Sequence, residues 1–261
     1  MTSPRNLIAP AMIGLLLIAA LGAAAASRAP APIAAAFAAP GRTAADKGED
    51  VHRKGQALLV FAGVKRGDKV MDLIPGGGYF TRLFSRVVGS TGHVYSMWPD
   101  EYARESVMAV ADLKAQSGQA PYTNVTVYTQ PAAAFSAPEP LDLVFTSQNY
   151  HDYNDPFMGQ GSSSKQFARQ VYAALKPGGV FLVIDHVAEK GSGLRDTDTR
   201  HRIDPATIKA EVLAAGFRYA GEINVLRNPA DDHKLTVFDK PIRGHTDQVV
   251  FKFIKPAARR R

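Results

Sequence analysis

The sequence predicts an α/β fold in which a mainly parallel sheet is covered by helices on both faces. Two observations support this prediction. Short apolar segments of strand length alternate with segments whose apolar residues recur at helical spacing, and the last two strand segments have no helix between them. Strands joined through a helix run parallel, whereas strands joined by a loop can pair antiparallel. With 46% hydrophobic residues among 261, the chain can build a sizeable core.

Seven segments are predicted as strands because they are short, rich in β-branched and aromatic residues, and bounded by glycine, proline or polar residues. In chain order they are residues 69–74, 93–97, 124–128, 141–146, 180–185, 217–226 and 248–255. The fourth is the more apolar and is therefore expected at the centre of the sheet, and the fifth is expected to be buried. The long polar loop before the seventh predicts that the last two strands pair antiparallel.

Helices are predicted wherever apolar residues recur every three or four positions. They cover residues 50–64, 80–87, 103–114, 167–175 and 204–216. The last of these begins with Asp204 as N-cap acceptor and Pro205 at the first helical position, and it ends at Gly216. Residues 176–179, Lys-Pro-Gly-Gly, are predicted to form a turn before the fifth strand.

The first 26 residues have the form of a secretory signal. A single charge, Arg5, precedes an apolar stretch over residues 7–26, and three alanines at 24–26 provide the small residues needed for cleavage. We expect residues 1–26 to be removed and the protein to be periplasmic or secreted. The alternative is an uncleaved segment that anchors the protein to the inner membrane.

The remaining chain is expected to contain one folded domain between two flanking segments. Residues 27–41 are almost wholly Ala and Pro and are expected to form a flexible tether, because so few large side chains cannot offset the entropy of ordering. Residues 42–256 are predicted to fold, and residues 257–261 form a basic tail.

Composition excludes several classes of site and partner. The chain has no cysteine, which excludes disulfides, thiolate zinc sites and a cysteine nucleophile. Its net charge of +7 is spread along the chain apart from residues 259–261, so nucleic-acid binding is not predicted. We expect a small-molecule or cell-envelope substrate and no stable membrane span after signal cleavage. The sequence indicates no oligomeric state.

Four motifs give the chain a family resemblance. They are DLIPGGGYFT at residues 72–81, GHVY at 92–95, LDLV at 141–144 and LKPGG at 175–179. In this order and spacing they resemble the class I S-adenosylmethionine-dependent methyltransferases. The Pro-Gly-Gly-Gly-aromatic-aromatic-Thr motif also resembles a group of exported predicted methyltransferases. The resemblance covers about residues 42–256 and implies a Rossmann-like seven-stranded mixed sheet with strand order 3-2-1-4-5-7-6.

The resemblance implies S-adenosylmethionine as cofactor, bound at the glycine-rich bend after the first strand. Glycine lets the main chain approach a ligand closely, and the helix that follows offers free N–H groups. The implied cofactor-binding residues are Asp72, Pro75, Gly76, Gly77, Gly78, Trp98 and Gln130.

The chain departs from the family pattern at three positions. Ile74 occupies the position of the first glycine of the family pattern. Met97-Trp98 occupy the position of the acidic residue that normally binds the ribose. Gln130-Pro131 occupy the position where a polar or acidic residue often contacts the adenine. Asp100 or Glu101 can replace the ribose acid only if the loop folds back. Trp98 can stack on adenine or fill the core.

The loop after the fourth strand is expected to hold the catalytic residues. Residues 147–155 resemble the His-Asp-aromatic-x-Asp stretch of small-molecule O-methyltransferases, in which the histidine is the general base. The resemblance implies His151 as base, oriented by Asp152 or Asp155. The alternative is a loop histidine that caps backbone carbonyls. The candidate substrate residues are Asn149, Tyr150, Asp185, His186, His201 and Arg202.

The expected function is S-adenosylmethionine-dependent methyl transfer to a small molecule or cell-envelope component. Two alternatives remain because the cofactor is made in the cytoplasm and the ribose acid is missing. One is a non-catalytic ligand-binding protein, or pseudoenzyme, on the same fold. The other is a metal-dependent enzyme using a histidine and aspartate cluster, for example Asp185 with Asp231 or His233. Their spacing is not diagnostic, so no metal site is predicted.

Overall fold

A computed structural model describes residues 29–257 and contains one seven-stranded mixed sheet. The strands are β1 (Lys69–Leu73), β2 (His93–Pro99), β3 (Val125–Gln130), β4 (Leu141–Ser147), β5 (Leu175–His186), β6 (Arg218–Glu222) and β7 (Gln248–Ile254). Their order across the sheet is β3-β2-β1-β4-β5-β7-β6, which confirms the predicted fold class and topology.

Within residues 29–257 the strands are accompanied by nine α-helices. They are α1 (Ala31–Ala38), α2 (Ala44–Arg53), α3 (Gly55–Ala62), α4 (Tyr79–Val88), α5 (Asp100–Glu105), α6 (Val107–Gln116), α7 (Ser164–Ala174), α8 (Thr197–Arg200) and α9 (Pro205–Ala214). None of them combines the length and hydrophobicity needed to cross a bilayer.

The sheet has a parallel part and an antiparallel end. Strands β1 to β5 pair in parallel, and β7 lies antiparallel between β5 and β6, as predicted. The carboxyl ends of the five parallel strands therefore meet at one edge. In open α/β sheets this edge is where ligands bind.

Each face of the sheet has its own apolar core. One core packs α6, α7 and α9 onto the sheet through residues such as Leu113, Phe167 and Val212. The other packs α1, α3 and α4 through Ile33, Leu58 and their neighbours. Both faces are therefore covered, as the alternation of strands and helices predicts.

The prediction of a flexible tether over residues 27–41 was wrong for residues 31–38, which form α1. Ile33 and Ala36 are buried, and they pack in the same core as α4. Alanine is the best helix former, so an Ala-rich segment needs only a narrow apolar stripe to fold once a partner face exists. The predicted signal over residues 1–26 and nearly all of the basic tail lie outside the described residues.

The predicted helix over residues 50–64 is divided in two. Helix α2 begins earlier, at Ala44, where Thr43 Oγ1 accepts a hydrogen bond of 3.0 Å from Asp46 N. It ends at Arg53, because Lys54 has a left-handed backbone with φ of 49°, and α3 then starts in a new direction. The break matters for function because Arg53 lines the cavity described next.

Candidate active site

A cavity of about 670 Å³ lies at the carboxyl edge of the parallel strands. Small-molecule sites in proteins usually have volumes of about 300 to 1,000 Å³. Its lining residues follow β1, β2, β4 and β5, with additions from α2, α5 and the long connection before β7. They are Arg53, Ile74, Pro75, Gly76, Trp98, Tyr102, Glu105, Ser106, Ser147, Gln148, Asn149, His151, Asp152, Phe157, His186, His201, Val237 and Phe238.

A second cavity of about 470 Å³ adjoins the first. The two share Arg53, Ser147, Gln148, His186, Val237 and Phe238 in their walls. The second extends towards Glu49, His52 and Arg243. Together they offer adjacent spaces for two ligands, with His186 between them.

The bend after β1 presents main chain to the cavity at Gly76. This glycine has φ of +54°, and a side chain built there would meet no atom within 4 Å. Ile74 also has a left-handed backbone, with φ of 48°, which is unusual for a β-branched residue and is a sign of strain at a functional bend. The predicted contact of Pro75 and Gly76 with a ligand therefore agrees with an open main-chain surface.

Gly77 and Gly78, also predicted to bind the cofactor, are not in the cavity wall. A Cβ atom at Gly78 would lie 2.6 Å from Leu113 Cδ1 and 2.8 Å from Arg82 Nη1. This glycine is therefore needed for packing between α4 and α6 rather than for the approach of a ligand.

Asp72, predicted at the cofactor site, is buried beneath the bend instead of lining the cavity. Thr81 Oγ1 donates a 2.6 Å hydrogen bond to Asp72 Oδ2 and lies 2.9 Å from Ser96 Oγ. Burial raises the pKa of Asp72 to about 7. This carboxyl group ties β1 to α4 and β2, so it supports the bend from below.

The wall beside β2 combines an aromatic ring with a carboxylate. Trp98 lines the cavity and also packs in the core, and its buried Nε1 has no hydrogen-bond partner among the described residues. Glu105 at the end of α5 supplies the carboxylate. The sequence did not predict it, because an acidic residue was expected directly after β2 and Glu105 follows one helix later. Neither Asp100 nor Glu101 lines the cavity; Glu101 Oε2 instead accepts a hydrogen bond from Ala132 N.

Gln130 does not take the predicted place near an adenine. It lies outside the cavity wall, where its side-chain amide pairs with Ser136. The end of β3 is displaced from the cavity because β3 is the edge strand of the sheet.

His151 lies in the cavity wall between two carboxylates. Its Nδ1 is 2.7 Å from Asp185 Oδ1, and its Nε2 is 2.9 Å from Asp152 Oδ1. His201 Nδ1 is 3.3 Å from the same Nε2, and Asp155 completes a cluster of four possible ligand side chains. The sequence predicted Asp152 or Asp155 as the partner that orients His151, but the Nδ1 partner is Asp185, from the end of β5.

The charges around His151 argue against its predicted role as general base. Burial disfavours the imidazolium, but Asp185 and Asp152 outweigh it and hold the pKa of His151 well above its usual 6.5. Despite burial, the charge of His151 lowers the pKa of Asp152 below its usual range. Burial raises the pKa of Asp155 to about 6. An imidazole that is already protonated cannot accept a proton from a substrate.

His186, in the same cavity wall, is neutral where His151 is charged. Burial lowers its pKa to about 3, so the imidazole is neutral at physiological pH. Its Nδ1 lies 2.7 Å from Thr246 Oγ1, while Nε2 makes no hydrogen bond within residues 29–257. With Nδ1–H donating to Thr246 Oγ1, the unprotonated Nε2 can accept a hydrogen bond from a ligand hydroxyl.

The structure brings together only some of the predicted substrate residues. Asn149, His186 and His201 line the cavity. Tyr150 is fully buried, where its hydroxyl donates to Glu211, and Arg202 is fully buried in an ion pair with Asp231. Asp185 lies behind the wall, where it binds the ring and backbone of His151 and the backbone of His186.

Several lining residues had no signal in the sequence. Arg53 reaches the site because α2 ends there, and Val237 and Phe238 come from the irregular connection between β6 and β7. Irregular segments have no periodicity from which side-chain direction can be read. These residues add an aliphatic and aromatic surface opposite the polar loop that follows β4.

Comparison with known proteins supports the fold and relates the chain to methyltransferases. No protein-family model matches the chain. The chain is 27% identical over 205 residues to a ubiquinone/menaquinone biosynthesis C-methyltransferase of Citrobacter koseri, covering 77% of this chain and 70% of that protein. It is 33% identical over 132 residues to the protein of the same description from Saccharophagus degradans, spanning only about half of that relative, 47%.

Solved structures show the same architecture. A crystal structure of a SAM-dependent methyltransferase from Aquifex aeolicus superposes with a TM-score of 0.56 at 17% identity. The match covers 81% of this chain and 95% of that one. At this identity the likeness establishes the fold, and the curated sequence relatives point in the same direction.

Proposed function

We propose that this chain is a class I S-adenosylmethionine-dependent methyltransferase, as its fold and its sequence relatives indicate. We propose further that it methylates a hydroxyl-bearing small molecule or cell-envelope component. The observation that best supports the proposal is the pair of adjoining cavities, one reaching the open main chain at Gly76 and both reaching the neutral His186. Neither a non-catalytic binding protein nor a metal-dependent enzyme of another reaction is favoured by the relatives, which are methyltransferases.

The cofactor fits the half of the cavity between the bend and α5. Gly76 leaves open space over the main chain, and Trp98, whose ring is fully buried, packs behind the cavity wall beside it. Glu105 is the carboxylate on that side and can accept hydrogen bonds from ribose hydroxyls. When bound, S-adenosylmethionine supplies an electrophilic methyl group on its sulfonium.

The acceptor is assigned to the space beside His186. Phe157, Val237 and Phe238 provide apolar contacts for a ring or chain, and Arg53 and Gln148 provide polar ones. His186 Nε2 can hold the hydroxyl of the acceptor by accepting its proton in a hydrogen bond. The relatives are named as C-methyltransferases of quinone biosynthesis, which favours an electron-rich hydroxylated ring as the acceptor.

Orientation is the main contribution expected from this site. Methyl transfer is an in-line displacement, so a rigid pocket that aligns acceptor and sulfonium supplies most of the acceleration. Phe157 and Phe238 are 42% and 56% exposed, so an acceptor bound against them would remove apolar surface from water. The predicted export of the protein is part of this proposal, and it implies that the cofactor is delivered to the enzyme outside the cytoplasm.

The proposal is tested by calorimetric titration of S-adenosylmethionine and S-adenosylhomocysteine into wild type and Gly76→Asn. Asparagine tolerates the left-handed backbone of this position, so the variant mainly fills the open space. We expect its affinity for both ligands to fall by about tenfold or more, roughly 1.4 kcal/mol, because the side chain occupies the main-chain surface.

Gly118→Asn is the matched control. Gly118 has φ of +73°, is exposed, has open space around a built Cβ and lies outside both cavities. Its affinity should equal that of wild type. Absence of heat with wild type at millimolar ligand, or an unchanged affinity in Gly76→Asn, would contradict the proposal.

A further inference from the structure

The side chains around His151 have the arrangement of ligands around one ion. Three of their atoms lie close together. His151 Nε2 is 3.3 Å from His201 Nδ1 and 2.9 Å from Asp152 Oδ1, and the last two atoms are 3.6 Å apart. Two ligand atoms bound about 2.1 Å from the same ion, at angles between 90° and 110°, lie roughly 3.0 to 3.5 Å apart. Three atoms therefore already stand at the corners of a coordination shell.

The hydrogen bonds of Asp185 fix the ring of His151 so that Nε2 faces these atoms. Asp185 accepts from the backbone N–H groups of His151 and His186, and its Oδ1 lies 2.7 Å from His151 Nδ1. Nδ1 donates to Asp185, and an ion would take the place of the proton that Nε2 otherwise shares with Asp152. A carboxylate that holds the far side of a histidine in this way is usual behind metal-binding histidines.

Asp155 is the independent indication that a cation belongs here. It is only 2% exposed, and within the described residues neither of its buried carboxylate oxygens meets the distance and angle of a hydrogen bond, although Thr197 lies near enough to oppose the rise in its pKa that burial causes. One of these oxygens lies within 4.8 Å of the ligand atoms of His151, Asp152 and His201. A buried carboxylate without a partner is costly, and an ion at this position would satisfy it.

We propose that His151, Asp152, Asp155 and His201 bind one divalent transition-metal ion in the wall of the cavity. Two imidazole nitrogens and two carboxylates suit Zn²⁺, Mn²⁺ or Fe²⁺ better than Mg²⁺ or Ca²⁺, which prefer oxygen ligands only. No ion is present in the structure.

The ion would face the space assigned to the acceptor. His151, Asp152 and His201 all line the cavity, so an ion that they bind would lie at the cavity wall. Resting on the proposed function, we assign a coordination position of this ion to the hydroxyl or carbonyl oxygen of the acceptor. The ion would then orient the acceptor and His186 would hold a second polar group.

Metal binding is tested on the untagged protein after treatment with a chelator. Zn²⁺ and Mn²⁺ are titrated by calorimetry without any cofactor, and bound metal is counted by elemental analysis. We expect one ion per chain with a dissociation constant below about 1 µM. Co²⁺ in place of Zn²⁺ should give a visible absorption band that reports nitrogen and oxygen ligands.

The variants His201→Ala and Asp155→Asn locate the ion. Each should weaken binding by at least about tenfold, since loss of even an outer-shell partner usually costs 10- to 100-fold. His233→Ala is the matched control, because His233 is also half-exposed and paired with a carboxylate, Asp247, but lies outside the cluster. Its binding should equal that of wild type.

Thermal unfolding provides a second readout that does not depend on calorimetry. At one fixed concentration, Zn²⁺ should raise the Tm of wild type and of His233→Ala by the same amount and that of the two cluster variants by less, because an ion that binds only the folded state stabilises it in proportion to the logarithm of its affinity. No bound ion in wild type, or wild-type affinity in His201→Ala, would overturn the proposal. Absence of metal binding would not change the binding of S-adenosylmethionine expected for wild type and Gly76→Asn, so each proposal can be contradicted independently of the other.

Discussion

At the scale of single residues, Asp72 shows how a site can depend on a group that never touches a ligand. It is fully buried under the glycine bend, and burial raises its pKa from 3.8 to about 7. Between these two pH values the folded protein keeps a proton on Asp72 that the unfolded chain releases. Stability must therefore fall as pH rises through this window, because the folded state binds more protons than the unfolded state.

The variant Asp72→Asn should remove this dependence while keeping an oxygen that accepts the hydrogen bond of Thr81. The free energy of unfolding of the variant minus that of wild type should increase with pH between about 4 and 7. The slope of this difference should be up to about 1.4 kcal/mol per pH unit. Urea unfolding of both proteins at pH 5 and pH 7 measures this difference. A constant difference across that range would show that Asp72 titrates normally in the folded protein.

The residues of the site were predictable from the sequence only where they follow a strand directly. Gly76, Trp98 and His151 stand at the ends of β1, β2 and β4, and the parallel topology forces them to one edge. Their side-chain directions were not predictable. Tyr150 precedes His151 but points into the core, because neighbouring residues in a short turn face different ways and no period reveals which one faces a ligand.

At the scale of elements, the helix α1 shows where composition misleads. The same Ala-rich and Pro-rich residues suit a tether or a short helix, and only the presence of an apolar surface on α4 decides between them. Pro32, the second residue of the helix, fits a helix start because proline is tolerated in the first turn. Such a tertiary contact leaves no mark in the local sequence.

Ile33→Ala tests whether α1 is part of the folded domain. Ile33 is 1% exposed, so truncation should lower the free energy of unfolding by about 2 to 4 kcal/mol. Met108→Ala, at a helical position that is 72% exposed, is the control and should change it by less than about 0.5 kcal/mol. Denaturant unfolding compares the three proteins. Equal stability of Ile33→Ala and wild type would instead support the prediction of a flexible tether.

At the scale of the whole molecule, the order of the sheet was predictable and the covering of the cavity was not. The order follows from the family resemblance together with the strand and helix pattern, which leave few topologies. The connection over residues 223–247 contains no helix or strand, yet it places Val237 and Phe238 over the cavity. Buried charges hold it: Arg202 pairs with Asp231.

The variant Asp231→Asn should release this connection. Asp231 accepts hydrogen bonds from both Nη atoms of Arg202 and from the backbone of Asp247, and Arg202 is fully buried. Removing one partner of a buried ion pair usually costs about 3 to 5 kcal/mol, because the other charge stays buried without compensation. We expect a loss of that size in urea unfolding, with faster hydrogen exchange across residues 227–247. Asp232 is an exposed neighbour whose side chain accepts a hydrogen bond from Lys234 N, and Asp232→Asn should behave as wild type. If Asp231→Asn exchanges no faster than Asp232→Asn, the ion pair does not hold the connection, and the position of Phe238 over the cavity must depend on packing alone.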